Sequence, residues 1–375
     1  MYTQQDLDDA VAAGALSADS ATALRDFMDR QRRSPSVDEE QFRLITSFND
    51  IFVSIAAAIL LFAVGWIAQS IGQAIGFAIH DQGGSDSYGP SPLIGFAIAV
   101  TSWFLAEVFT ARRRMALPSI LLLLTFVGGV LAGTGFLGVI VSGIDRVRED
   151  SPTTMAMLGA ISAAVAAAAA YLHWRRFHVP ITVAAGAASI AMVVLALIAS
   201  TLNLEAVQSR DILLGFTLLL GVGMFLFAMW WDGTDPSRTT RRSDVAFWLH
   251  LLAAPMIVHP VFTLLGLTAG SISIAGGLAV VALYVVLGIT ALAIDRRALL
   301  VSALAYVLYA LTELFKSLGA VQLNVALTAL VIGSALLMLS AYWHSARTLV
   351  VKALPAALQA RLPDLNRVSL PQPAA

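Results

Sequence analysis

The sequence predicts an all-α fold, a polytopic transmembrane helical bundle of about ten spans behind a small N-terminal cytoplasmic helical hairpin. Three observations carry that prediction. The 375-residue chain is 58% hydrophobic and 13% charged, whereas soluble domains run near about 45–50% and about 25%. Ten apolar stretches each approach the roughly 20 residues needed to cross a hydrocarbon core of about 30 Å. Arginines crowd into alternate connections between those stretches, as the positive-inside rule requires.

Residues 1–48 form the first region, a soluble hairpin with its linker. Thr3 and Asp6 resemble a capping box, and Leu7 and Val11 share a helix face. Ala13-Gly14-Ala15 breaks that helix, and Ser17 is placed to cap a second one with the stripe Ala21, Leu24, Phe27 and Met28. So small a pair buries little core alone, so a docking partner is expected, either the membrane domain or another protein. Ser34-Pro35-Ser36 reads as linker. The region is polar and acidic, so no cleavable signal peptide is expected there.

Residues 49–346 hold the spans. They are read as Ile51–Ile71, Leu93–Ala111, Leu117–Ser142, Thr153–Leu172, Pro180–Thr201, Ile212–Trp231, Val245–Leu267, Ile272–Ile294, Ala298–Gly319 and Leu323–His344. The first continues through Gly72–Ile79, as an interfacial helix or as the top of a long span. One set of connections carries ten arginines, in Arg112–Arg114, Arg175-Arg176, Arg238 with Arg241-Arg242, and Arg296-Arg297. The alternate set carries three, Arg146, Arg148 and Arg210. Both terminal regions add basic residues to the richer side, so both termini are expected in the cytoplasm. Gly129 and Gly133, Gly72 and Gly76, and the nearly all-alanine stretch Ala163–Ala170 offer surfaces for close helix packing. Residues 347–375 form a tail whose start, Arg347–Leu362, fits a helix on the cytoplasmic membrane surface facing anionic lipid.

The hairpin segment LDDAVAAGALSADSATALRDFM, Leu7–Met28, resembles the N-terminal segment of a bacterial family of multi-span membrane proteins. Those proteins place a short pattern of apolar, small, Gly, apolar, Ser/Thr, acidic or polar, and Ala residues ahead of eight to ten spans. Here Ala13-Gly14-Ala15-Leu16-Ser17 stands where Gly-Leu-Ile-Ser is the family habit. The resemblance implies a bacterial plasma (inner) membrane location. The family has no established activity, so the resemblance assigns no functional residue.

Candidate chemistry lies in the few polar residues inside spans. The ninth span alone carries both signs of charge in its body, Glu313 and Lys316, three residues apart on one face. A buried charge there costs about 2.5–3.5 kcal/mol on insertion scales, so a local ion pair with Lys316 reaching the interface competes with a functional site. The seventh span holds His250, His259, Pro255 and Pro260. Prolines interrupt helix hydrogen bonding, and transporters use such breaks at binding sites. A proximity of His259 to Glu313 near Lys316 is the sharpest expectation, suited to proton relay. Glu107, near the arginine end of the second span, is expected to pair with Arg112–Arg114 or another neighbour. Gln69 and Gln73 are candidate cavity-lining residues.

Several classes are disfavoured. With no cysteine, thiolate metal sites and disulfides are impossible. The net charge of −1 argues against a nucleic-acid partner. HExxH, GxSxG and P-loop motifs are missing, and neither cofactor nor metal is expected. The leading expectation is a transporter or permease for an ion or small molecule. The alternatives are a non-enzymatic regulator or assembly protein binding a partner through its hairpin, and an intramembrane lipid-modifying enzyme.

Overall fold

The computed structural model describes residues 11, 13–14, 16–17, 19–22, 48–79, 89–143, 151–202, 207–235, 240–266, 274–317, 319, 322–359 and 362. The chain divides into two compact units, Met1–Phe42 with Asn366–Ala375, and Arg43–Leu365. In the first unit, the Gly14 N–H donates to the Val11 carbonyl at 3.0 Å, with Gly14 at φ +69°. The Ser20 N–H then donates to Ser17 Oγ at 3.1 Å, so Ser17 caps the short helical turn that follows. The remainder of the expected hairpin lies outside the described residues, as does the linker at Ser34–Ser36.

Among its described residues, the regular elements of the second unit are all helical. Its elements are α1 (Phe48–Ala74), α2 (Pro92–Ala106), α3 (Ala116–Ser142), α4 (Ser151–Phe177), α5 (Ile181–Ala199) and α6 (Val207–Gly233). They continue with α7 (Arg241–Leu264), α8 (Ile274–Ile294), α9 (Ala298–Ser317), α10 (Asn324–Ala341), α11 (Trp343–Ala353) and α12 (Ala356–Gln359). Among the described residues, ten helices, α1 to α10, are long and apolar enough to cross a membrane.

The first span ends by a defined device. The Gly76 N–H donates to the Gln73 carbonyl at 3.1 Å and the Phe77 N–H to the Gly72 carbonyl at 2.7 Å. With Gly76 at φ +69°, this is a Schellman closure. The helix thus continues past Ile71 only as far as Ala74, and residues 75–79 leave it as turn and irregular chain. At the same end, Gln69 is spent on backbone. Its Nε2 donates to the Gly89 carbonyl at 2.9 Å, and its Oε1 accepts from the Ser91 N–H at 2.8 Å. Ser91 Oγ donates to the Phe77 carbonyl at 2.6 Å and caps α2 by accepting from the Leu93 N–H.

At the other end the connections are tight. Arg113–Met115 joins α2 to α3 after a π-helical stretch, Glu107–Arg112. Residues 178–180 join α4 to α5, and residues 295–297 join α8 to α9. Each turn puts one non-glycine residue in the left-handed region, namely Arg114 (φ +54°), His178 (φ +53°) and Asp295 (φ +57°). A residue with Cβ resists that conformation by about 1–2 kcal/mol, so surrounding contacts must hold it.

Packing follows chain order. Ala57 and Leu61 of α1 meet Ala106 and Leu122. Leu123 and Val127 of α3 meet Ala166 and Ala170 of α4. Ala184 of α5 meets Ala228 of α6 and Val245 and Leu249 of α7, which joins the two halves. Val258 and Phe262 of α7 then pack with Val280 of α8, Ala303, Val307 and Ala310 of α9, and Ile332 of α10. Lipid offers helices no hydrophobic gain on pairing, so close backbone approach matters more. It is closest between α2 and α3. A Cβ on Gly129 would stand 2.6 Å from the Gly95 carbonyl oxygen, and one on Gly133 would stand 2.9 Å from the Phe96 ring.

Gly95→Ile is therefore expected to lower the melting temperature of the detergent-purified protein, with a cost of roughly 1–3 kcal/mol from overpacking. Gly128→Ile, where an added Cβ meets nothing within 4 Å, is expected to leave the melting temperature near that of wild type.

Candidate functional site

The densest polar chemistry sits where α6, α7, the α8–α9 turn and α11 converge, at the arginine-rich end. The turn is Asp295-Arg296-Arg297, three successive charged residues, and each is held by a different group. Apolar spans bring the pieces close, and the ion pairs then fix their register.

Arg296 is 2% exposed. Its Nε donates to Asp232 Oδ2 at 3.1 Å, and its Nη2 donates to Asp232 Oδ1. Nη2 also reaches the carbonyl and the hydroxyl of Ser243, both at 3.2 Å. Asp232 comes from the last turn of α6 and Ser243 from the first turn of α7. The fork of a guanidinium matches a carboxylate, which is why arginine suits a buried pair. His250, two turns further along α7 and fully buried, places Nε2 at 3.1 Å from Asp232 Oδ2. Facing a carboxylate oxygen, that nitrogen must carry the proton. With a neutral imidazole the cluster is charge-balanced, and with a protonated one it holds a net positive charge. The Phe225 ring sits edge-on at 5.3 Å from His250.

Asp295 and Arg297 are held separately. The Trp343 indole N–H donates to Asp295 Oδ1 at 2.8 Å, and Arg347 Nε lies 3.7 Å from the same oxygen. The Arg297 guanidinium lies over the Trp343 ring at 4.8 Å, a cation–π contact. Trp343, Arg347 and Val351 recur every four residues, so they form the buried stripe of α11. Arg347, expected among residues facing lipid headgroups, is instead 3% exposed and turned toward Asp295. Satisfying the buried Asp295 carboxylate is the physical reason. The link between α6 and α7 is braced as well, with Asp235 Oδ2 accepting from the Thr240 N–H at 2.9 Å and from its hydroxyl at 2.6 Å.

Of the residues singled out in the sequence, His250 belongs to this cluster. Glu107 pairs with a neighbouring span rather than its own turn. Arg176 Nε and Nη2 donate to its two carboxylate oxygens at 2.9 and 2.6 Å. Lys316 Nζ donates to Glu313 Oε1 at 2.6 Å, the local pair weighed above. His259 Nδ1 lies 2.6 Å from the Tyr306 hydroxyl. Tyr306 precedes Glu313 by seven residues, about 10 Å along a helix axis. His259 and Glu313 are thus set at different heights, each with another partner. Gln69 closes the α1–α2 connection, as described above.

Span seven runs as one helix through Pro255 and Pro260. Pro260 cannot donate to the Met256 carbonyl. Gly221 of α6 lies against that carbonyl, where an added Cβ would be 2.9 Å from its oxygen. The break faces the backbone of a neighbouring span.

Sequence reasoning passed over Asp232, Ser243, Asp295, Arg296, Trp343 and Arg347. In the sequence Asp232 simply follows Trp230-Trp231, and Arg296 reads as one of the arginines that set orientation. The usable signal was one carboxylate at the end of span six with an arginine at the same end of span nine. A second polar feature, His173, is enclosed by Trp103, Phe126 and Phe177 with ring centroids at 4.6–6.1 Å. Its Nδ1 is 3.4 Å from Thr182 Oγ1, and its Nε2 has no partner among the described residues.

Fold and site together define an α-helical multi-pass membrane protein. Comparison of the chain with protein-family models, with curated proteins and with solved structures finds no match.

Trp343→Phe removes the indole donor to a buried carboxylate. It is expected to cost about 1–3 kcal/mol and to speed tryptic cleavage at Arg347 and Lys352. Thermal melting and a digestion time course check both effects.

Proposed function

We propose that this protein is a permease-like transporter of a small ion, seated in a bacterial plasma membrane with both termini in the cytoplasm. The observation that carries the reading is the buried Asp232–His250–Arg296 cluster. Ionisable groups inside spans are costly, and such groups mark ion and proton paths by default. Here one carboxylate serves both a guanidinium and an imidazole, and an imidazole is a side chain that can carry or release a proton. Protonating His250 weakens the hold of Asp232 on Arg296, and deprotonation restores it. That exchange links proton occupancy to the register of α6, α7 and α9. The arginine distribution supports the orientation.

A second reading is favoured by a specific observation. The Arg296 head is matched by both the Asp232 carboxylate and Ser243. On that reading the cluster is a structural lock, and the protein is a membrane regulator whose N-terminal hairpin binds a protein partner.

The test is proton flux into proteoliposomes loaded with a pH-sensitive dye under a potassium diffusion potential. Wild type is expected to acidify the lumen at least about tenfold faster than His250→Gln, the ratio that about 1.4 kcal/mol of lost barrier stabilisation produces. Asp232→Asn is expected to behave likewise. Wild-type rates no faster than protein-free vesicles, or equal rates in folded variants, remove the transport reading.

A further inference from the structure

The structure assigns a second feature to the opposite half of the bundle. We infer that the arginine-rich end of α2–α5 is a binding site for the phosphate of an anionic phospholipid headgroup. Five arginines lie there, Arg112, Arg113, Arg114, Arg175 and Arg176, all exposed. Across residues 89–143 and 151–202 the sequence has one acidic residue, Glu107. Arg176 already takes both of its carboxylate oxygens. Asp50, in the first turn of α1 at the same end, is buried. Four guanidinium groups are left facing outward, and among the described residues none of them meets a carboxylate.

These arginines are presented by rigid backbone. The Arg113 N–H donates to the Val108 carbonyl and the Met115 N–H to the Phe109 carbonyl, both at 3.0 Å. Those bonds extend the π-helical turn into the connection, and Arg114 is fixed at φ +54°. The Glu107–Arg176 pair ties this turn to the end of α4, which brings Arg175 to the same end. Like charges held together repel, and an anion relieves that cost. Guanidinium forks match phosphate oxygens bidentately. The occupant is a lipid rather than a soluble anion because of depth. All four groups sit at the last turn or first connection of apolar spans, the level of the headgroups. By contrast, Arg296 at the same end of the other half is consumed internally.

The test is lipid retention by native mass spectrometry on full-length protein, after exchange into nanodiscs of phosphatidylcholine with or without phosphatidylglycerol. Wild type is expected to keep at least one phosphatidylglycerol in preference to phosphatidylcholine. Each basic residue near an anionic surface is worth a factor of about five. Arg112→Gln/Arg113→Gln/Arg114→Gln is therefore expected to bind phosphatidylglycerol on the order of a hundredfold more weakly. The single variant Arg113→Gln provides a fold-safe intermediate, with a loss of about fivefold. Arg241→Gln/Arg242→Gln, in the other half, is expected to retain the lipid. Equal retention by the triple variant and wild type overturns the inference. So does equal retention of both lipids, or protection against thermal unfolding by inorganic phosphate that matches that of phosphatidylglycerol.

Discussion

A guanidinium sealed between helix ends governs the C-terminal half of this bundle. Taking Arg296 and Asp232 out of water costs several kcal/mol per ion before any attraction is counted. Their fork-to-fork geometry, with Ser243 and His250 completing the shell, returns that cost only while α6, α7 and the α8–α9 turn keep their present register. The cluster therefore specifies an arrangement more than it adds stability. The adjacent Asp295 repeats the logic toward α11, through Trp343 and Arg347. One connection thus fixes two spans on one side and α11 on the other, and its left-handed residue is held there by the same contacts.

The N-terminal half is organised by different physics. Gly95, Gly129 and Gly133 let α2 and α3 meet backbone to backbone. On α4, Ala163, Ala166 and Ala170 form a small, fully buried face. Dispersion between closely approaching backbones takes the place of buried ion pairing there, and the Glu107–Arg176 pair lies at the surface. The arginines of that half are consequently left on the surface. Span α7, the most enclosed of the ten, meets both regimes. It shares apolar contacts with α5 and holds Ser243 and His250 for the charged cluster.

Much of the architecture was legible in the sequence because hydropathy alone limits a span. All ten helices lie where apolar runs of sufficient length lie, and Ser17 caps the turn that its position suggested. The Glu313–Lys316 pair was also visible, since three residues separate the partners. The charged cluster was not, for a geometric reason. Asp232 and Arg296 are 64 residues apart, and spans that are apolar all round give no periodic signal of which face turns inward. Depth can be estimated by counting residues, whereas rotation about the axis cannot. Depth alone therefore pairs His259 with Glu313, while the fold gives it Tyr306. Composition likewise points Arg347 at the headgroups, although its position in the α11 stripe turns it inward.

A double-mutant cycle on Asp232→Leu and Arg296→Met, read by reversible unfolding in mixed micelles, tests the central claim most directly. The account predicts that either single change strands a buried charge and costs roughly 3–5 kcal/mol, while the double variant costs no more than either alone. Losses that simply add, within about 0.5 kcal/mol, would show the two groups to be independent and contradict the clamp.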